Sequence, residues 1–129
     1  GSIMTLSYLG AERVVPHYHV MGIAKATLES CVREAAVNMA AKKVRVNAIS
    51  AGPIPTLAAG GIPGFQHMLK FTERTAPLKE NITQEDVAGT ALWLASKYSK
   101  RVTGQTIYVD SGYNIVGVPP ELEKLLGSD

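Results

Sequence analysis

Apolar residues recur at helical spacing between positions 18 and 39. Tyr18, Met21, Lys25, Leu28, Val32, Ala36 and Met39 follow one another at intervals of three or four. At about 100° per residue they form one stripe, which predicts a long amphipathic helix from about Tyr18 to Met39. Every member suits a buried face except Lys25, because lysine is rarely buried without a partner. Either its stem lies along apolar surface while the ammonium reaches water, or the head enters a polar site. Tyr18 precedes it by roughly two turns, about 10.5 Å along the axis. A phenol and an ammonium on one inward face suit a single elongated ligand. Glu29 and Arg33 have the spacing of an i,i+4 pair, expected on the outer face.

Around this helix the pattern alternates between strand and helix. Ser2 to Tyr8 is rich in strand formers and reads as a buried strand ending in Ser7 and Tyr8. Leu9 to His17, with Gly10 and Pro16, is a loop. Val44 to Ser50 is a second strand, followed by Ala51-Gly52-Pro53-Ile54-Pro55-Thr56-Leu57. Gly52 permits unusual dihedrals there, while the two prolines fix the path, so this loop can present backbone groups to a ligand. From Ala58 to Ala76 the chain is interrupted by Gly60, Gly61, Pro63 and Gly64. Phe65, Met68, Leu69 and Thr72 then give a short helical pattern. The stretch reads either as a mobile lid or as a surface loop with a packed helix.

Thr83-Gln84-Glu85-Asp86 has the form of a helix start, with Thr83 as N-cap. Val87, Ala91 and Leu94, with Ala88, Leu92 and Ala95, are expected on that helix's buried face. Gln105 to Asp110 is a third strand, continued by Ser111-Gly112-Tyr113. Pro119-Pro120 sets off a tail, dividing the chain into residues 1–118 and 119–129. Strand, helix, strand, helix, strand predicts an α/β fold with a parallel sheet and right-handed crossovers. Ligands of such sheets bind beyond the carboxyl ends of the strands. Tyr8, the Pro53 loop and Asp110 fall at those ends, and Tyr18 and Lys25 begin the helix after the first of them.

Composition narrows the partners. At 129 residues the chain is one domain or part of one, and its net charge is +2. No block of like charge points to nucleic acid or a membrane surface. Cys31 is the single cysteine, so no internal disulfide can form, which fits a reducing compartment. Its place in the helix suggests a packed thiol. No apolar run reaches the ~18 residues of a membrane span, and no secretory signal is visible; a cytoplasmic location is expected. His17, His19 and His67 lack partners at metal-ligand spacing, so no metal is expected.

Taken together these motifs resemble the C-terminal half of the bacterial enoyl-acyl-carrier-protein reductases, a divergent branch of the short-chain dehydrogenase/reductase superfamily. The resemblance runs from Ser2 to about Gly117. It rests on Leu6-Ser7-Tyr8-Leu9-Gly10-Ala11-Glu12, on lysine seven residues after Tyr18, and on Arg45-Val46-Asn47-Ala48-Ile49-Ser50-Ala51-Gly52-Pro53-Ile54. Most of the superfamily has lysine four residues after tyrosine, where this chain has Gly22. It also usually has Pro before Gly, where this chain has Gly52 before Pro53.

The resemblance implies hydride transfer from NADH to a trans-2-enoyl thioester on acyl carrier protein, in the last reductive step of type II fatty acid elongation. NADPH is left open. It implies Tyr18, Lys25 and Tyr8 as catalytic residues. Lys25, Pro53, Ile54, Thr56 and Ser7 would meet the cofactor, and Tyr8, Met21, Ile62, Phe65 and Met68 the substrate. A homotetramer is implied for the complete protein.

No glycine-rich turn follows an opening strand here, so the pyrophosphate nest of a Rossmann-like, doubly wound sheet is expected outside this chain. The chain reads as the second half of such a domain, inactive in isolation, with the strands from Ser2 and Val44 next to an exposed edge. Two rival readings remain: a ketoacyl reductase, which would need the four-residue spacing, and a non-catalytic half that completes a partner.

Overall fold

Three parallel strands lie in the order β1 (Ser2–Ser7), β2 (Arg45–Ala51), β3 (Thr106–Val109). Between them come α1 (Val20–Met39), α2 (Phe65–Thr75) and α3 (Gln84–Ala95), and α4 (Glu121–Leu125) follows β3. This computed structural model describes residues 1–127. The chain is α/β with a parallel sheet, as the alternating pattern predicts. Ser7 pairs with Ser50 and Ser50 with Tyr108, so the three strands end level. Because β2 is paired on both sides, the open edge expected at two strands belongs to β1 and not to the strand from Val44.

The core lies between α1 and β2, where Val32 and Ala36 meet Val46 and Ala48, flanked by Ala35 and Met39. Of the predicted stripe, Val32 and Ala36 are buried; Tyr18, Lys25, Leu28 and Met39 are half-buried, and Met21 is 50% exposed. Two assignments on this helix are reversed. Glu29 is 5% exposed, not on the outer face, and Cys31 is exposed, not packed. Taking Lys25 as reference, Glu29 lies about 40° round the helix and Cys31 about 240°. The first is therefore inside the stripe and the second opposite it.

Side-chain alternation sets the layers. Ser7 reaches α1 through Glu29, whereas Ser2, an odd number of positions away, donates to the Leu94 carbonyl of α3 at 2.9 Å. The two helices therefore cover opposite faces. With strands advancing in one direction, helices on opposite faces require crossovers of opposite hand, so the expectation of two right-handed crossovers fails. The twist that favours the right-handed form acts on direct strand-helix-strand units. The path from β2 to β3 is longer, passing through the Pro53 loop and α2 before α3.

A capping box starts α3: Thr83 Oγ1 accepts from the Asp86 amide at 3.3 Å, and Asp86 Oδ2 accepts from the Thr83 amide at 2.7 Å. Of its predicted buried face, Leu94 is fully buried and Val87 and Ala91 half-buried, but Ala88, Leu92 and Ala95 are exposed. Arg45 holds the far end of α3, donating to the Leu94 carbonyl at 2.6 Å and to Ser99 Oγ at 3.0 Å.

Candidate active site

β1 stops at Ser7; Tyr8 continues extended into a tight turn over Leu9–Ala11. The chain reaches α1 through a turn at residues 16–19, where His17 and His19 flank Tyr18 with φ of 65° and 42°. Positive φ is disfavoured for residues with a Cβ; the turn is closed by the Tyr18 amide donating to the Val15 carbonyl at 3.1 Å and the Gly22 amide donating to the His19 carbonyl at 3.0 Å. The helix starts at Val20, and Tyr18 stands in the turn before it. The two-turn offset expected from a shared helix therefore does not describe Tyr18 and Lys25.

Two glycines make room for the Tyr18 ring. A Cβ on Gly10 would fall 2.3 Å from Tyr18 Cδ1, and one on Gly22 would fall 2.8 Å from the Gly10 carbonyl oxygen. Residue 22 is where a four-residue spacing places lysine. Backbone meets backbone there, leaving no space for a side chain. The amine comes from the following turn, at Lys25, and its Nζ donates to the Leu6 carbonyl at 2.8 Å. The lysine head is thus turned toward the end of β1.

Tyr8 and Tyr18 pack edge to face, with centroids 5.1 Å apart and planes at 73°. The Tyr8 hydroxyl donates to Met68 Sδ of α2 at 3.9 Å. Burial, reinforced by Tyr113 and then Tyr18, pushes the Tyr8 pKa up to about 12. Burial also raises Tyr18 and Tyr113. All three phenols are therefore neutral donors near pH 7. Tyr113 was not among the sequence candidates. It stands just past the end of β3, packs on Phe71 at 6.5 Å, and is close enough to influence Tyr8. Its position at a strand's carboxyl end was the available signal.

This shift gives a pH expectation. A phenol whose folded pKa exceeds its unfolded value of 10.0 supports folding fully below pH 10, and that support is lost as pH rises toward about 12. Ultraviolet titration should show Tyr8 ionising well after an exposed tyrosine, with stability falling over the same window. Ionisation of Tyr8 at pH 10 in the folded protein would contradict the burial.

The Pro53 loop leaves β2 beside the end of β3. The Gly52 amide donates to the Val109 carbonyl at 2.9 Å, and a Cβ on Gly52 would press on Asp110 at 3.3 Å. The glycines with positive φ among the described residues are Gly64, Gly104, Gly112 and Gly127. Gly52 is thus required for close approach, not for an unusual dihedral. Pro53 and Ile54 are half-buried, while Thr56 is exposed and its Oγ1 accepts from the Ala59 amide at 3.1 Å. Ser7 is buried and its Oγ donates to Glu29 Oε1 at 2.6 Å.

Of the predicted apolar wall, Met68 reaches Tyr8, Phe65 is 6% exposed at the start of α2, and Ile62 and Met21 are 54% and 50% exposed. A separate hollow, lined by Asn81, Ile82, Tyr108, Asp110 and Gly112 among others, includes none of the predicted site residues. Among the described residues no group of His, Cys, Asp and Glu is arranged to hold a metal, and no helix is long and apolar enough to cross a membrane.

Residues 1–114 match the family described as Enoyl-(Acyl carrier protein) reductase. The chain belongs to this family. It is 60% identical over 117 residues to the enoyl-[acyl-carrier-protein] reductase [NADH] FabI of Rickettsia typhi, a match covering 91% of this chain and 45% of that protein. Two crystal structures of family members superpose closely. The Anaplasma phagocytophilum enzyme, in complex with NAD, gives a TM-score of 0.85 at 47% identity, covering 92% of this chain and 43% of that one. The Bacillus cereus reductase, with NADP+ and indole naphthyridinone, gives 0.89 at 52% identity, covering 92% and 46%. The chain thus spans somewhat under half the length of the enoyl reductases it matches, and its fold is the corresponding part of their Rossmann-type domain.

Proposed function

We propose that this chain carries the tyrosine and lysine of an NADH-dependent enoyl-acyl-carrier-protein reductase. The complete protein reduces a trans-2-enoyl thioester on acyl carrier protein in the last reductive step of fatty acid elongation. Family membership supports the reading, and so do the NADH in the names of curated relatives and the NAD of the Anaplasma structure. The observation that carries it is the constellation at the end of β1. A neutral Tyr18 is packed on Tyr8, and Lys25 is drawn to the same strand end.

The nicotinamide, when bound, supplies a hydride to the β-carbon. Tyr18 donates a hydrogen bond to the thioester oxygen as negative charge develops there, stabilising the transition state. Lys25 has three ammonium donors. One meets the Leu6 carbonyl, and the others suit the ribose hydroxyls of the cofactor. Ser7, Pro53, Ile54 and Thr56 belong to the nicotinamide side, with the Ile54 backbone meeting the carboxamide. Tyr8, Met21, Ile62, Phe65 and Met68 line the acyl path, where soft and aromatic walls suit an unfunctionalised chain. A homotetramer in the cytoplasm is part of the same proposal, and native mass spectrometry of the complete protein checks the assembly.

The test compares crotonyl and acetoacetyl thioesters, each with NADH and with NADPH, in the complete protein. Reduction of the crotonyl substrate alone supports the proposal; reduction of the acetoacetyl substrate alone makes the protein a ketoacyl reductase. Lys25→Ala should weaken NADH binding about tenfold or more, the loss of a charged hydrogen bond at the ribose. Calorimetric titration reads this directly, and an unchanged dissociation constant removes Lys25 from the cofactor site.

A further inference from the structure

Glu29 is the one charged residue of α1 that the fold buries, at 5% exposure. A carboxyl group in a core interface is normally worse than a methionine or leucine of similar size. Its position therefore asks for a task, and its contact supplies one. Glu29 Oε1 accepts from Ser7 Oγ at 2.6 Å, and Ser7 is equally buried. One turn earlier on the same helix, Lys25 Nζ meets the carbonyl of Leu6, the residue before Ser7. Tyr8 follows immediately. Two consecutive residues at the end of β1 are thus held from two consecutive turns of α1, one through a backbone carbonyl and one through a side-chain hydroxyl.

The rest of the neighbourhood is polar. Ser7, Ser50 and Tyr108 share one rung of the sheet and therefore one face, the face covered by α1. The Tyr108 hydroxyl is buried on this face beside Glu12. Its pKa is raised by burial, then by a hydrogen bond to Glu12 and that residue's charge, and then by the charges of Glu29 and Asp110. Among these groups the short contact of Glu29 goes to Ser7.

We infer that Glu29 is a positioning residue, which fixes Ser7 and through it the strand end that places Tyr8 and receives Lys25. The inference rests on the function proposed above. It goes beyond the tyrosine and lysine by adding a residue that touches neither substrate nor cofactor.

The experiment uses the complete reductase and three variants. Glu29→Gln keeps an acceptor oxygen for Ser7, whereas Glu29→Met keeps the size and removes the acceptor. Ser7→Ala removes the donor. The expected result is that Glu29→Gln turns over within about threefold of the parent. Glu29→Met should lose roughly tenfold in kcat while its NADH dissociation constant moves less than about threefold, and adding Ser7→Ala to it should accelerate exchange at residues 6–9 little further. Hydrogen exchange at residues 6–9 should accelerate in Glu29→Met.

A folded Glu29→Met with parental turnover overturns the inference. Unchanged exchange does the same, as does Glu29→Gln losing as much as Glu29→Met. Should Glu29→Met fail to fold, Ser7→Ala carries the exchange expectation, and parental exchange at residues 6–9 in that variant overturns the inference. Exchange needs no turnover, so a parent protein inactive on crotonyl thioester would refute the proposed reaction while leaving this contact separately tested.

Discussion

Replacing Tyr18 by phenylalanine in the complete reductase is expected to lower kcat by roughly 100-fold, the range seen when one donor to a developing oxyanion is removed. The Michaelis constant for the enoyl thioester should move far less, because the hydrogen bond strengthens only as charge builds on the oxygen. Stability should hardly change. The ring keeps its edge-to-face contact with Tyr8 at 5.1 Å, and that contact does not involve the hydroxyl. Tyr8→Phe is the informative companion. Its hydroxyl meets a thioether at 3.9 Å, a weak acceptor, so its loss should lower turnover less than Tyr18→Phe does. Steady-state kinetics of both variants on crotonyl thioester decides. A larger loss at Tyr8 would exchange the two roles.

Much of this arrangement was legible from spacing. The alternation of strand and helical periods produced the parallel sheet, and Thr83 with Asp86 announced the start of α3. The order of residues could not show that Tyr18 lies in a turn, since no residue type there announces the positive φ values of His17 and His19. Glu29 is a different kind of miss. At about 40° from Lys25 it was inside the stripe by simple geometry. Its i,i+4 spacing to Arg33 points the other way, toward an exposed ion pair. Leu92, Ala88 and Ala95 failed for a third reason. Apolar periodicity marks a face that can be covered, but the contact here takes the side of α3 that carries Leu94. The handedness of the second crossover was also out of reach, because it depends on which face of the sheet a long connection returns to.

Gly10→Ala should be nearly as damaging to turnover as the loss of the Tyr18 hydroxyl, though it touches no reacting group. The added methyl would lie 2.3 Å from Cδ1 and 2.6 Å from Cε1 of Tyr18. Carbon atoms settle about 3.5–4.0 Å apart, so the ring has to swing by more than about 1 Å. Movement on that scale at a reacting group lowers rates by about 100-fold. Overpacking of this kind also costs about 1–3 kcal/mol of stability. Gly22→Ala tests the same contact from the other side and should behave differently. In an ordinary helix that change gains roughly 1 kcal/mol. Here the new methyl meets the Gly10 carbonyl oxygen at 2.8 Å, and backbone cannot swing aside as a ring can. Gly22→Ala should therefore lower the melting temperature despite its better helix propensity, while Gly10→Ala should chiefly lower kcat. Thermal melts and crotonyl turnover on both variants separate the outcomes. Parental turnover in Gly10→Ala would mean that the ring has room to move without consequence, and that the close packing at these two glycines does not place the Tyr18 hydroxyl.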